Sequence, residues 1–219
     1  MNQGKIPLKE RKNALEGVRV IDFSWIVAGP QCTRILADFG ADVIKIENES
    51  NMDYARHIIP GSGNSPNLSG MFNTLNRNKR SLMLNVMHPT GMEQLKELIS
   101  ISDVVIENFS SRVLERWGLG YEEQRKIRPD IIFVSISGFG EKGPYSHQRV
   151  YDPIIQALSG LADIQRDKDS GKPKMVRTII PDKKTSVTAA QAITAALLHR
   201  ERTGEGQHIR LYMLDTMVA

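Results

Sequence analysis

The sequence predicts an α/β protein built on a doubly wound, mostly parallel sheet with helices on both faces. Short runs of β-branched and apolar residues alternate with segments in which apolar residues recur at helical spacing. A strand, a helix and a second strand in that order form a parallel pair with a right-handed crossover. Four apolar strands separated by helices therefore indicate a doubly wound sheet. The predicted strands are 18–25, 42–48, 103–109 and 130–140.

The first helix is predicted over 28–41, directly after the first strand. Pro30 suits the first turn of a helix, where its missing N–H costs nothing, and Gly29 permits a tight turn before it. Cys32 falls within the helical pattern and is interpreted as a small buried core residue. Further helices are predicted at 88–102, 110–119, 121–129 and 183–201.

Two segments depart from this alternation. Residues 49–78 show no periodicity and are rich in turn-forming residues, so they are predicted to form a loop. Residues 206–219 are predicted to form a strand that runs into a helix, where the sequence stops. Because domains seldom end inside an apolar element, we expect the fold to be incomplete at this end, either as a fragment or as a chain that needs a partner.

Composition limits the class of protein. The 219 residues, 40% of them hydrophobic and 25% charged, suit a soluble globular protein, and no apolar stretch is long enough to cross a membrane. A net charge of +4 favours a polyanionic ligand such as a phosphorylated cofactor. Dispersed basic residues and an aromatic content of 6% argue against nucleic-acid binding. The single cysteine excludes an intramolecular disulfide and suits the cytoplasm.

The domain organisation predicted from these features is simple. Residues 1–14 are basic and lack the apolar core of a secretory signal, so they are predicted to form a flexible arm. Residues 15–219 are predicted to form one domain that is incomplete at its C-terminal end.

The segment GFGEKG has the glycine spacing of a dinucleotide-binding loop directly after a strand. Such a site requires a helix to begin at the glycines, because the helix N-terminus binds the pyrophosphate. Here Pro144 and Pro153 follow without a helical pattern between them, so the segment is interpreted as a flexible loop at the edge of the sheet. The five histidines have no metal-ligand spacing, and no metal site is predicted.

Asp182 has both a structural and a chemical interpretation. An aspartate before a long apolar-periodic run makes a good N-cap, which is the interpretation that the local pattern favours. The positive end of the helix dipole would keep such a carboxylate ionised, and an ionised carboxylate is also able to act as a covalent nucleophile. The two roles are compatible.

Several ordered blocks of the sequence resemble the class III CoA-transferase family, which includes formyl-CoA transferases and carnitine CoA-transferases. They include LEGVRVIDFSWIVAGPQCTRILADFGADVIKIEN, NRNKRSLMLNV, DVVIENF, LERWGLGYEE, SGFGEKGPY, YDPIIQALSG and RERTGEGQHIRLYMLD. The resemblance covers nearly everything from Leu15 to Ala219. It implies a Rossmann-like domain, an interlocked homodimer, and a later lobe that carries a glycine-rich loop and is absent from this sequence.

The resemblance also implies a site and a reaction. Asp182 matches the family's nucleophile, which attacks an acyl-CoA and then carries CoA as an aspartyl thioester before a carboxylic acid acceptor takes it over. The substrates implied are an acyl-CoA donor and a small carboxylic acid, with coenzyme A as co-substrate and no metal. Arg116 and Arg149 suit the phosphates at the adenosine end. The positions that match family contacts to coenzyme A are Ile26, Val27, Ala28, Leu84, Asn108, Phe109, Arg116, Trp117, Arg149 and Tyr151.

Departures from the family pattern leave alternatives open. Val27 stands where some transferases carry a glutamine, and Asn48 where some carry an arginine. Lys183 and Lys184 follow Asp182 at positions where the family often has small residues. These two lysines are expected to face solvent. A related branch racemises 2-methylacyl-CoA esters with a histidine at the position of Tyr151, and a tyrosine is a poor base at neutral pH. The non-enzymatic alternative is a truncated family member that acts as a binding subunit.

Overall fold

The computed structural model describes residues 13–58 and 65–219. Its centre is a six-stranded sheet in the order β3-β2-β1-β4-β5-β6, and every neighbouring pair of strands is parallel. The doubly wound sheet predicted from the alternation of strands and helices is therefore confirmed, and in the described residues it is parallel throughout. The strands are β1 (Arg19–Asp22), β2 (Asp42–Glu47), β3 (Arg80–Met83), β4 (Val104–Glu107), β5 (Ile132–Ser137) and β6 (His208–Tyr212).

Helices cover both faces of this sheet, as expected for parallel strands. Val104 and Ile106 of β4 pack on the face covered by α1 (Ala28–Asp38) and α9 (Ile180–Thr203). Val105 between them packs on the face covered by α4 (Pro89–Ser100) and α5 (Val113–Arg116). The core is thus two apolar layers separated by the sheet. The helices are α1 (Ala28–Asp38), α2 (Ala55–Ile58), α3 (Gly70–Asn76), α4 (Pro89–Ser100), α5 (Val113–Arg116), α6 (Tyr121–Ile127), α7 (Asp152–Leu158), α8 (Leu161–Ile164), α9 (Ile180–Thr203) and α10 (Met213–Val218).

Three parts of the sequence-based prediction differ from the structure. The predicted loop over 49–78 contains the short helices α2 and α3 and a 3-10 turn at Pro66–Leu68, so that prediction is wrong in part. The strand β3 was not predicted, because all four of its side chains are exposed at the sheet edge and leave no apolar pattern. The helix predicted over 110–119 is limited to α5. Residues 1–12 of the predicted arm lie outside the described residues.

The junction between β1 and α1 is as compact as its sequence suggests. Pro30 lies in the first turn of α1 and Cys32 is fully buried, which confirms both predictions. Gly29 lies within the helix rather than in a turn before it. A Cβ atom on Gly29 would lie 2.2 Å from the Cβ of Ser24, so glycine is needed here for close packing of the helix on the preceding loop.

The strand order places a switch point between β1 and β4. The chain leaves the two strands toward opposite sides of the sheet, and α/β proteins bind ligands in the crevice that this divergence opens at the carboxyl ends of the strands. Among residues 13–58 and 65–219, no helix combines the length and apolar character that a bilayer crossing requires.

Candidate active site

The loop from β1 to α1 is held in a strained conformation. Ile26 has a φ of 63°, which is a rare value for a β-branched residue. Its backbone N–H donates to the Asp53 carboxylate at 3.0 Å, and the Lys45 ammonium group lies 2.9 Å from the other oxygen of that carboxylate. Lys45 also donates to the Ser24 carbonyl oxygen at 2.6 Å. These buried contacts fix a conformation that the loop would not adopt alone.

A second buried ion pair lies beneath this loop. The Lys79 ammonium group is 2.9 Å from the Asp22 carboxylate, and both side chains are almost fully buried. Burial alone would raise the pKa of Asp22, but the positive charges of Lys79 and Lys45, together with hydrogen bonds from Ser24 and Thr33, lower the pKa to about 2. Ser24 donates to Asp22 through both its backbone N–H and its hydroxyl. The carboxyl end of β1 is therefore rigid.

Three aromatic rings follow one another along the wall at the carboxyl end of β4. Trp25 contacts Phe109 edge to face at 5.7 Å, and Phe109 contacts Trp117 at 5.8 Å between ring centroids. Asn108, the residue before Phe109, pairs with the backbone of Trp25. The loops that follow β1 and β4 thus form one continuous surface across the switch point.

Asp182 approaches this surface from α9. It is the third residue of the helix, and Ile179 occupies the N-cap position without a side-chain capping bond. The prediction that Asp182 caps the helix is therefore wrong. The Ser186 hydroxyl, one turn later, donates to the Ala28 carbonyl oxygen at 2.8 Å and joins the start of α9 to the start of α1. The Asp182 carboxyl lies beside the backbone N–H of Ala28, the first residue of α1.

Its environment gives the Asp182 carboxyl an unusual acidity. Burial raises its pKa and the negative charge of Asp152 raises it further, whereas a hydrogen bond from the Ala28 backbone N–H lowers it, so that the pKa is about 7. The helix dipole had predicted an ionised carboxylate. Loss of hydration outweighs the dipole, and the expectation of a carboxylate kept ionised is corrected to one that titrates near neutral pH.

Asp152 performs the capping role that was predicted for Asp182. Its Oδ2 accepts a hydrogen bond from the Asp182 backbone N–H at 3.2 Å, and its Oδ1 accepts one from the Gln156 side-chain amide at 2.6 Å. This role of Asp152 is not predictable from the sequence, because the contact joins residues that lie 30 positions apart. The only local signal was an aspartate beside Pro153 at the start of a helix.

A cavity of about 340 Å³ opens where these elements meet. Asp182 and seven of the ten residues matched to coenzyme A contacts line it. Trp25, Ser137 and Gly138 also line it, although sequence analysis did not select them. A Cβ on Gly138 would lie 1.7 Å from the Val150 side chain, so glycine lets the following loop close over this edge. The predicted residues in the cavity wall are Ile26, Val27, Ala28, Asn108, Phe109, Arg149, Tyr151 and Asp182.

The other three predicted contact residues lie outside the cavity wall. Leu84 is buried in the apolar layer that includes Phe23, and its side chain faces the core. Trp117 lies behind Phe109 and supports it. Arg116 is exposed on α5, whose first residue, Val113, reaches the cavity. The structure therefore brings Asp182 and seven predicted contacts together and leaves these three at its periphery.

Exposed polar and charged side chains lie at the cavity and on α9. Arg149 and Tyr151 are exposed at the cavity, while Lys183 and Lys184 are exposed on α9, as predicted.

No helix begins at the glycines of GFGEKG, since α7 starts only at Asp152. That segment is the loop expected from the sequence. In the part of the chain that the structure describes, no three His, Cys, Asp or Glu side chains cluster as a metal site would require.

A parallel, doubly wound sheet with a cavity at its switch point defines an α/β protein that binds its ligand at the carboxyl edge of the sheet. The partly buried Asp182 carboxyl in the cavity wall adds a group able to act as a nucleophile or as a proton acceptor.

Comparison with known proteins identifies the family. The CoA-transferase family III profile matches residues 15–219, and the chain belongs to this family. It is 40% identical over 216 residues to a succinate–glutarate CoA-transferase of Agrobacterium fabrum, covering 97% of this chain and 54% of the relative. It is 40% identical over 205 residues to a formyl-CoA:oxalate CoA-transferase of Afipia carboxidovorans, covering 94% and 47%.

The fold agrees with that of a solved family member. A CAIB/BAIF family protein from Brucella suis superimposes with a TM-score of 0.87 at 36% identity, and the match covers 95% of this chain and 55% of that chain. The chain spans about half the length of the curated relatives that it matches.

Proposed function

We propose that the protein carrying this chain transfers coenzyme A from an acyl-CoA donor to a small carboxylic acid, with Asp182 as the covalent acceptor. The observation that carries the proposal is the position of Asp182, a largely buried carboxyl in the wall of the cavity at the switch point. It is the acidic side chain of that wall, and the family to which the chain belongs is named for CoA transfer.

The reaction proceeds in four balanced steps. A carboxylate oxygen of Asp182 bonds to the thioester carbonyl carbon, the C–S bond breaks, and the products are a mixed anhydride and the CoA thiolate. The thiolate attacks the Asp182 carbonyl carbon and releases the donor as its carboxylate, which leaves Asp182 as a CoA thioester. The acceptor carboxylate then attacks this thioester and restores the thiolate, which attacks the acceptor carbonyl. Asp182 is regenerated, and one of its oxygens now comes from the acceptor.

The surroundings of Asp182 suit these steps. The Ala28 backbone N–H faces the carboxylate from the first turn of α1, where it is placed to stabilise negative charge on the carbonyl oxygen of a tetrahedral intermediate. Val27 and Phe109 are apolar parts of the cavity wall, and they limit access of water to an anhydride that water would hydrolyse. A carboxyl with a pKa of about 7 is a stronger nucleophile, once ionised, than an ordinary carboxylate.

We also propose a position for the acyl-CoA in the cavity. The thioester lies beside Asp182 and the loop of Ile26–Ala28, and the pantetheine arm follows the aromatic wall at Phe109. Arg149 at the cavity and Arg116 on the exposed side of α5 bind the phosphates of the adenosine end. Leu84 and Trp117 act through the packing that supports this wall rather than by direct contact.

The acceptor that we propose is a small dicarboxylic acid, because the two relatives described above carry glutarate and oxalate in their names. This chain spans about half the length of those relatives. From its membership of the family we also infer a homodimer in the cytoplasm as the working form.

Racemisation of a 2-methylacyl-CoA is the alternative use of the same cavity. It requires a second group that exchanges a proton at the α-carbon opposite Asp182. The resemblance matches Tyr151, which lines the cavity, to the histidine that serves this purpose in the racemases. A phenol is too weak an acid and its anion too scarce for rapid proton exchange near neutral pH. Transfer is therefore favoured over racemisation.

The experiment uses the protein as purified from its source, with succinyl-CoA as donor and glutarate or oxalate as acceptor. Formation of the new thioester, with loss of activity in Asp182→Asn, is the expected result. In a single turnover, an acceptor labelled with a heavy isotope in both carboxylate oxygens should place one label in the Asp182 carboxyl group. Incorporation of deuterium at the α-carbon of a 2-methylacyl-CoA in deuterated water, without transfer, would establish the racemase instead. Full transferase activity in Asp182→Asn would overturn the assignment of the nucleophile.

A further inference from the structure

A buried pair of side chains lies between α7 and the chain that leads into α9. Asp152 and Gln156 lie one turn apart on α7, and both are almost fully buried. We refer to them as the Asp152–Gln156 clamp. The Gln156 side-chain oxygen accepts from the Val176 backbone N–H at 2.9 Å, while its nitrogen donates to Asp152 Oδ1 at 2.6 Å. The same nitrogen lies 3.5 Å from the Thr178 carbonyl oxygen.

The clamp therefore fixes both the approach to α9 and its first turn. Gln156 holds the segment at 176–178, which bends before the helix, and Asp152 holds the backbone N–H of Asp182, the third residue of the helix. A helix N-terminus leaves such N–H groups without intrahelical partners, so a buried acceptor at this point determines where the turn lies. No residue of α9 itself supplies a side-chain cap.

The clamp also brings a second carboxylate close to Asp182. The hydrogen-bond partners of Asp152 among the described residues are a side-chain amide and a backbone N–H, both of them neutral. A buried carboxylate whose hydrogen-bond partners are neutral keeps most of its electrostatic effect on neighbouring groups. Asp152 is hydrogen-bonded to the Asp182 backbone, so its charge acts on the nearby Asp182 carboxyl. The Asp152 charge accordingly contributes to raising the pKa of Asp182.

We propose that Asp152 is a positioning residue for Asp182: it holds the first turn of α9, so that the Asp182 carboxylate faces the cavity, and its negative charge strengthens that carboxylate as a nucleophile. The inference rests on the proposed function, since it assigns Asp182 the attack on the thioester. Gln156 contributes by keeping the Asp152 carboxylate in place.

Among the charged groups on α9 and the elements packed against it, Asp152 is the one whose charge raises the pKa of Asp182. The elements packed against α9 are α1, α7, α10, β5 and β6. The other titratable or charged residues on these elements, on α9 and in the adjoining cavity wall are Cys32, Arg34, Asp38, Arg149, Tyr151, Lys183, Lys184, His199, Arg200, Glu201, Arg202, His208, Arg210, Tyr212 and Asp215.

Three variants of the purified protein separate the charge of Asp152 from its hydrogen bonds. Asp152→Asn removes the charge and keeps an acceptor of similar shape, and Asp152→Ser is a second uncharged variant with a hydroxyl acceptor. Gln156→Leu removes the support of Asp152 and keeps its charge. Asp169→Asn, at an exposed position, is the matched control for the loss of one carboxylate.

Two measurements are made on each variant. The first is a titration of the Asp182 carboxyl carbon by NMR, with the signal assigned from its loss in Asp182→Asn. The second is the pH profile of kcat/KM for CoA transfer. In the uncharged variants we expect the Asp182 titration and the acidic limb of the profile to move together to lower pH, by about one pH unit. Gln156→Leu should lower kcat with a smaller movement, and Asp169→Asn should match the wild type.

The outcomes distinguish this inference from the proposed function. If kcat falls in the uncharged variants while the titration of Asp182 stays at its wild-type position, Asp152 is only structural and the proposal is wrong. The proposal is equally wrong if neither uncharged variant folds, as judged by circular dichroism. Absence of CoA transfer in the wild type would instead refute the proposed function, and the NMR titration would still decide whether Asp152 acts on Asp182.

Discussion

The side-chain amide of Asn108 forms two hydrogen bonds with the backbone of Trp25. Its Oδ1 accepts from the Trp25 N–H at 2.7 Å, and its Nδ2 donates to the Trp25 carbonyl oxygen at 2.9 Å. This reciprocal contact joins the loops that follow β1 and β4, which diverge at the switch point. The two loops that line the cavity are therefore joined by a side-chain amide that both accepts a hydrogen bond from the Trp25 backbone and donates one to it.

Asn108→Asp tests this contact with a change of a single group. The aspartate retains the acceptor for the Trp25 N–H but places a negative oxygen against the Trp25 carbonyl, so the free energy of unfolding should fall by about 1–3 kcal/mol. Chemical denaturation measures this, and KM for the acyl-CoA should rise in parallel. Asn51→Asp at an exposed site is the control. Equal stabilities of the two variants would mean that the Asn108 contact contributes nothing.

The strained backbone at Ile26 predicts an unusual order of stabilities. Glycine adopts a φ of 63° without a steric penalty, whereas alanine bears the same penalty as isoleucine, so Ile26→Gly should be more stable than Ile26→Ala by about 1 kcal/mol. Thermal unfolding of the two variants measures the difference. At an ordinary helical or extended position the order is reversed, and that reversed order would show that Ile26 is not held in the left-handed region.

The raised pKa of Asp182 predicts a pH-dependent gain of stability in Asp182→Asn. The pKa rises from 3.8 to about 7, so between these values the folded state binds more protons than the unfolded state, and the wild type loses stability as the pH rises through this window. The neutral amide avoids this loss. At about pH 8 the variant should therefore be more stable than the wild type by about 4 kcal/mol, with the difference vanishing below about pH 4.

Denaturation curves at several pH values test this directly, with Asp169→Asn as the control for removal of an exposed carboxylate. A stability difference between Asp182→Asn and the wild type that does not change with pH would contradict the raised pKa. The same ionisation predicts that kcat/KM for CoA transfer rises with pH up to about 7, because only the ionised carboxylate attacks.

The phosphate contacts proposed for Arg149 and Arg116 predict that their substitution changes KM for an acyl-CoA but not for a pantetheine thioester. If both bind phosphates, changing either to glutamine should raise KM for an acyl-CoA by about tenfold, equivalent to about 1.4 kcal/mol, and the effect should weaken with added salt. Thioesters of pantetheine lack the nucleotide phosphates, so their KM should not change. An equal rise for both substrates would place these arginines elsewhere on the substrate or in the structure. Arg166→Gln, on the exposed loop after α8, is the matched control.

The parts of the fold that were predictable are those with a local pattern. The buried strands, such as the one at Ile132–Ser137, carry continuous apolar runs, and α1 carries both helical spacing and a proline in its first turn. The strand β3 carries neither signal, since its residues Arg80–Met83 are exposed and are held by pairing with β2. Edge strands of this kind are determined by their neighbours in space.

The site was predictable to a different extent. Asp182 and seven other residues of the cavity wall were selected by resemblance. Local chemistry alone favoured a capping role for Asp182 that the structure contradicts. Its neutral-range pKa depends on burial and on Asp152, which lies on a separate helix. Neither the burial of one polar group nor its contact with a distant carboxylate leaves a periodic mark in the sequence. The strain at Ile26 is hidden for the same reason.

The central claim is that Asp182 carries coenzyme A during turnover. The most direct measurement incubates the purified protein with acyl-CoA in the absence of acceptor, adds hydroxylamine to convert an aspartyl thioester to its hydroxamate, and maps the modified residue by peptide mass spectrometry. The predicted result is a hydroxamate at Asp182 that is absent when acyl-CoA is omitted. A modification at another residue, or none in a protein that is actively transferring CoA, would contradict the account.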